Sequence, residues 1–128
     1  MTDRESMLRQ LSVGDIFHAR SRNGASLVCL VKAVDDGAIH ARRIHTQDDV
    51  VFDRRTGFEV GKSHTKIDCI APFPPDIHDI FLEVDRKHRE LTALVRQGVE
   101  LTLDQTKMTS DEKRANLSID QHVANNPI

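Results

Sequence analysis

Turn-forming residues punctuate the first half of this chain and divide it into segments too short for ordinary helices. Between positions 12 and 71, glycine, asparagine and aspartate clusters recur about every eight to twelve residues. The segments between them are rich in valine, isoleucine and other strand-favouring residues. Five to six short strands with this spacing are typical of a small antiparallel barrel, whose closure also removes exposed sheet edges.

The predicted strand bounds follow from the turn residues. Asn23-Gly24 and Asp35-Asp36-Gly37 predict tight turns, because these residue types adopt turn conformations at low cost. Strands are expected at 13–20, 27–34, 38–44, 50–53, 58–60 and 66–71. Over residues 12–71 this spacing resembles the SH3-like barrels in architecture. The resemblance implies a fold and does not imply a function.

The second predicted strand is apolar on both faces and therefore needs two covers. Alternation places Leu27, Cys29 and Val31 on one face and Val28 and Leu30 on the other. The barrel interior would cover one face, and a later segment must cover the second.

An amphipathic helix is predicted to provide that cover. Prolines at 72–75 form a stiff hinge, Asp76 is placed to cap the helix, and Gly98 is a suitable stop. Apolar residues at helical spacing form the predicted interaction surface: Ile77, Ile80, Phe81, Val84, Leu91 and Leu94. This stripe must be buried on the barrel, on a later helix or on a second copy of the chain.

The chain is therefore predicted to be an α+β protein with five segments. They are a polar segment (1–11), the barrel (12–71), the proline-rich hinge (72–75), the amphipathic helix (76–98) and a charged tail (99–128). In the tail, residues 99–103 alternate like a short strand, yet Thr102 also begins a capping-box pattern, as does Thr109. A second helix is expected from about Ser110 to Ala124.

Composition favours a soluble cytoplasmic protein. The formal net charge of −2 gives no general attraction to nucleic acid or to an anionic membrane. We expect no signal peptide and no membrane span, which needs about 20 consecutive apolar residues. Cys29 and Cys69 lie in apolar segments, so we expect buried free thiols.

The sequence contains no motif that points to catalysis. It has neither a glycine-rich phosphate loop nor a Gly-x-Ser-x-Gly turn, and thiols in apolar surroundings are poor nucleophiles. We therefore predict a non-enzymatic interaction or regulatory module without a cofactor. Its partner is expected to be another protein or a second copy of the chain.

A nucleic-acid-associated barrel is the first alternative. Its candidate contacts are arginines in loops and strands: Arg20, Arg22, Arg42, Arg43, Arg54 and Arg55. Because the turns of a meander alternate between the two ends of a sheet, the arginines at 20–22 should face the aspartates at 48–49. Those at 54–55 should face the aspartates at 35–36. We expect these charges to screen one another, and the chain has no Trp or Tyr for base stacking.

A metal site is the second alternative. The chain has seven histidines, but none are at the spacing of a helical zinc site. A site assembled across strands from His18, His40 or Cys69 would need a structure to reveal it.

Overall fold

The computed structural model describes residues 3–128, apart from the side chains of residues 62 and 63. The elements are α1 (Asp3–Leu8), β1 (Ile16–Arg20), β2 (Ser26–Val34), β3 (Ala38–Arg43), β4 (Asp49–Asp53), β5 (Phe58–Glu59), β6 (Lys62–Cys69), α2 (Pro75–Arg96), α3 (Leu103–Thr106) and α4 (Ser110–Asn125). The strands pair antiparallel in chain order, and β6 pairs again with β1 to close a barrel. The predicted small antiparallel barrel followed by helices is confirmed. The narrower SH3-like assignment stays a prediction.

Two strands begin three or four residues away from the positions that the turn pattern predicted, and two others differ by one residue. β1 starts at Ile16, because the Asp15 carboxylate accepts a hydrogen bond from the Ser12 amide (2.9 Å) and holds that segment in a turn. β6 starts at Lys62, because Gly61 adopts a φ of 79° and reverses the chain immediately before it.

The barrel interior holds one of two apolar cores. Phe17 and Phe52 meet edge to face, with ring centroids 5.4 Å apart. Leu8 and Leu11 from the N-terminal segment are buried in the same core. The other members are Ala19, Leu27, Cys29, Val31, Ile39, Ala41, Val50 and Ile67. The N-terminal helix therefore belongs to the barrel's own packing.

The second core lies between the barrel's outer surface and the helices. Val28 is buried there and Leu30 packs at its edge, which confirms that β2 is covered on both faces. The remaining members come from the barrel, the hinge and two helices: Ile16, Ile44, Phe73, Ile77, Phe81, Val84, Ala115 and Ile119. Helices α2 and α4 thus supply the cover that the sequence of β2 requires.

Backbone features decide where α2 begins and ends. Pro75 occupies the start of the helix, and no side chain makes a capping hydrogen bond there. Asp76 lies inside the first turn, so its predicted role as the cap is wrong. Gly98 has a φ of 84° and its amide donates to the Val95 carbonyl (3.0 Å), as the predicted stop requires.

The tail forms helices, and the strand interpretation of residues 99–103 is wrong. Thr102 caps α3 in a capping box with Gln105, and Thr109 caps α4 by accepting a hydrogen bond from the Glu112 amide (3.1 Å). Within residues 3–128, no helix combines the length and the apolar character that crossing a membrane requires.

Candidate functional site

The apolar stripe of α2 is divided between two environments. Three of the six residues predicted to form an interaction surface are buried in the second core: Ile77, Phe81 and Val84. They stabilise the chain itself and are not on its surface. Ile80 packs at the edge of that core, whereas Leu91 and Leu94 are only partly buried. The division arises because α2, with 22 residues, is about 33 Å long and extends past the core.

The chain folds back beside the C-terminal half of α2. The Lys87 ammonium donates to the Lys107 carbonyl (2.8 Å) and ties the returning segment to the helix. A groove of about 400 Å³ lies between the two, lined by His88, Leu91, Thr92, Val95, Arg96, Leu101 and Thr106. Val95 is 55% exposed and Val99 is 43% exposed. We call Leu91, Leu94, Val95, Val99 and Leu101 the distal surface.

The two segments that form this groove carry exposed residues of opposite charge. Arg96 lines the groove, and Arg89 is exposed seven residues before it on α2. Glu100 and Asp104 are exposed on the returning segment, which supplies Leu101 and Thr106 to the groove. The groove therefore lies between a helix with exposed arginines and a segment with exposed carboxylates.

A pair of histidines lies where the groove meets the barrel. The rings of His45 and His88 are 5.8 Å apart, and His88 fills the one polar position of the α2 stripe. Although part of His45 is exposed, burial of its ring lowers its pKa, and the neighbouring His88 lowers that pKa further. Its surroundings therefore favour the neutral form of the His45 ring.

Arg42 is committed to the fold of the chain. Its guanidinium binds the Asp85 carboxylate through two hydrogen bonds of 3.0 and 2.8 Å, which join β3 to α2. The Gln47 amide donates to the same carboxylate (2.9 Å). Burial opposes ionisation of Asp85, but the hydrogen bonds from Arg42 and Gln47 outweigh it and hold the pKa of that carboxyl below its ordinary value.

Three further arginines also have partners within the chain. The Arg54 guanidinium donates to the Asp35 carbonyl (2.7 Å), as the predicted sharing of one barrel end requires. Arg43 lies 3.7 Å from Asp48. Arg20 pairs with Asp68 on β6 (3.4 Å), so the expectation that it faces the aspartates at 48–49 is wrong.

Arg22 and Arg55 are exposed and lie at opposite ends of the barrel. One belongs to the β1–β2 turn and the other to the β4–β5 turn, and successive turns of this meander alternate between the two ends. The six candidate arginines therefore form no single basic surface. Nucleic-acid binding stays a prediction, and it now depends mainly on these two side chains.

The residues considered for a metal site make separate contacts. The His18 ring is fully buried, with Nδ1 2.5 Å from Asp68 Oδ1 and Nε2 against the Ser26 hydroxyl. His40 lies 3.1 Å from Asp35, and Cys69 is buried. Among the side chains that the structure describes, no three His, Cys, Asp or Glu residues are grouped to hold a metal ion.

Sequence analysis missed the contact between Ser26, His18 and Asp68. These residues lie on β2, β1 and β6, and they meet only because β6 returns to pair with β1. A polar residue at every second position of β1 was the available signal, since His18 and Arg20 alternate with the inward-facing Phe17 and Ala19.

Both cysteines are expected to be unreactive in the native protein. Burial raises the pKa of the Cys29 thiol to about 12 and also raises that of Cys69, so little thiolate exists at neutral pH. We expect a disulfide reagent such as DTNB to modify neither thiol in native protein and both in denaturant. Fast modification of native protein at Cys29 would contradict the closed barrel core.

The distal surface and the buried histidine of β1 are two features that the packing of the core does not explain. Comparison with protein-family models, with curated protein sequences and with solved structures finds no match for this chain.

Proposed function

We propose that this protein is a self-associating interaction module and that its distal surface contacts a second copy of the chain. One observation supports this most directly: a single apolar stripe on α2 is largely buried in its first half and only partly buried or exposed in its second. Exposed apolar side chains that are contiguous mark interaction sites more often than scattered ones do. Val95 and Val99 are exposed near the end of α2 and just after it. The distal surface joins them to Leu91, Leu94 and Leu101.

The charges of the groove favour a second copy as the partner. In a two-fold contact, the same surface is used on both chains. If the two-fold axis runs along the groove, the helix of each copy that carries Arg89 and Arg96 faces the segment of the other copy that carries Glu100 and Asp104. Opposite charges then meet twice, and the apolar side chains of both grooves are covered in the same contact. The formal net charge of −2 adds little repulsion between two copies.

Val95→Glu should weaken this association by at least about a hundredfold, or roughly 3 kcal/mol, because a carboxylate would be buried in an apolar contact on both chains. Sedimentation equilibrium over a wide concentration range measures the change. Leu117→Glu is the matched control, since Leu117 is 83% exposed on α4 and lies outside the distal surface.

Two results would contradict the proposal. The wild-type chain could remain a strict monomer at every concentration, or both variants could weaken association equally. A charge exchange tests the orientation: Arg96→Glu should weaken the dimer, and adding Glu100→Arg should restore much of the loss.

A further inference from the structure

We propose that Ser26 is an activated nucleophile, with His18 as its general base and Asp68 as the residue that positions His18. The Ser26 hydroxyl contacts His18 Nε2, and His18 Nδ1 lies 2.5 Å from Asp68 Oδ1. Hydroxyl, imidazole and carboxylate in this order form the arrangement that activates serine for acyl transfer. This activity would be separate from self-association and does not depend on it.

The direction of the hydrogen bonds follows from the chemistry of the three groups. An ionised carboxylate only accepts hydrogen bonds, so His18 Nδ1 carries the proton that Asp68 binds. The Nε2 atom of a neutral ring is then an acceptor, and the Ser26 hydroxyl must donate to it. The contacts therefore set the tautomer that a general base needs.

The three side chains are held by a rigid part of the fold. Ser26 and His18 lie in the paired ladder of β2 and β1, and Asp68 lies within β6 at the register shift, between the residues that pair with His18 and Ala19. The imidazole of His18 is completely buried, and its Nε2 contacts the Ser26 hydroxyl. Ser26 is exposed, so a substrate can reach the hydroxyl that the buried ring activates.

Arg20 holds the far side of the carboxylate. Its guanidinium lies 3.4 Å from Asp68 Oδ2 and also donates to the Gly24 carbonyl (3.2 Å) in the hairpin that carries Ser26. Asp68 therefore has one oxygen for His18 and one for Arg20.

The substrate class is an unhindered carboxylic ester, because the hydroxyl lies at an exposed strand end. Ser26 Oγ would form a bond to the acyl carbon as its proton passes to His18 Nε2. The ester C–O bond then breaks, and the leaving alcohol takes that proton. Water then attacks the acyl carbon of the acyl-serine in the same way, and its proton passes to Nε2. That proton returns to Ser26 Oγ as the carboxylic acid leaves.

Covalent labelling of the full chain tests the nucleophile. A fluorophosphonate should give one adduct, which peptide mapping places on Ser26 and which Ser26→Ala abolishes. Ser21→Ala is the matched control, since Ser21 lies in the same hairpin and its hydroxyl oxygen accepts from the Ala25 amide (3.0 Å). It should be labelled like wild type. Absence of labelling, or equal labelling of native and urea-denatured protein, would overturn the proposal.

The rate of acylation by 4-nitrophenyl acetate tests the base. His18→Gln should lower it by about 10²–10⁴-fold, as loss of a general base does. Asp68→Asn should also lower the rate and displace its pH profile. A folded His18→Gln variant with the wild-type rate, or a pH profile that Asp68→Asn leaves in place, would overturn these two roles. Circular dichroism identifies which variants remain folded.

Discussion

Asp85→Ala should lower the free energy of unfolding by about 3–5 kcal/mol, since it removes one partner of a buried ion pair. The Asp85 side chain is only 4% exposed and accepts hydrogen bonds from Arg42 and Gln47. Without it, the Arg42 guanidinium stays in a largely buried position with no carboxylate to balance its charge. The variant also releases the contact that holds β3 to the middle of α2.

Urea denaturation measures this loss, and Glu83→Ala is its control. Glu83 is on the same helix and pairs with Arg86 (2.7 Å), but both side chains are largely exposed. Surface pairs of this kind contribute between zero and about 1 kcal/mol. A loss in Asp85→Ala as small as in Glu83→Ala would show that the buried pair does not anchor the helix.

Lowering the pH should reduce the difference in the free energy of unfolding between the wild-type chain and Asp85→Ala. The pKa of Asp85 is lower in the folded chain than in the unfolded chain, because hydrogen bonds from Arg42 and Gln47 outweigh the effect of burial. The stabilisation that ionised Asp85 contributes to the folded chain is therefore complete above about pH 4, the ordinary pKa range of aspartate. It is lost as the pH falls through the pKa of Asp85 in the folded chain. Urea curves at a series of pH values would show this convergence.

The spacing of apolar residues in the sequence was sufficient to predict that the helices pack on the outside of the barrel. Alternation in β2 showed that Val28 and Cys29 face opposite sides, and each lies in a different core. The spacing of Ile77, Phe81 and Val84 showed which side of α2 would be buried. Both inferences depend on local periodicity, which can be recognised within a single segment without knowledge of its tertiary contacts.

The side-chain contacts between β1 and β6, the two strands that close the barrel, could not be predicted from the sequence. Arg20 pairs with Asp68 because β6 returns to β1 with a register shift between His18 and Ala19. A shift of one residue would have turned Asp68 into the barrel and removed the partner of His18. The turn spacing predicted a barrel but not the register in which β6 pairs with β1, so the Ser26 site could not be predicted.

The exposed half of α2 was unpredictable for a different reason. The stripe continues from Val84 through His88 to Leu91 and Val95 with the same helical spacing, so its apolar residues lie on both sides of the point where burial ends. What covers a helix face depends on contacts with distant segments, which the stripe itself does not specify. Exposure of the distal surface is therefore a property of the assembled fold.

Phe81→Ala should lower the free energy of unfolding by about 3–5 kcal/mol, the usual cost of removing a buried aromatic ring. Phe81 is fully buried, and its ring centroid lies 5.1 Å from that of Phe73 in the hinge. The substitution would leave a cavity in the core that covers Val28 and the outer face of β2. Phe58→Ala is the control. Phe58 is 38% exposed on β5, so its removal should lower the free energy of unfolding much less.

The same variant shows whether the barrel and the helices unfold together. Because β2 contributes to both cores, we expect one transition in which helical circular dichroism and the reactivity of Cys29 change at the same urea concentration. Phe81→Ala should move both signals together to lower urea. If helicity were lost while Cys29 stayed protected, the barrel would be an independent unit. The apolar outer face of β2 would then be tolerated in water, contrary to the packing argument.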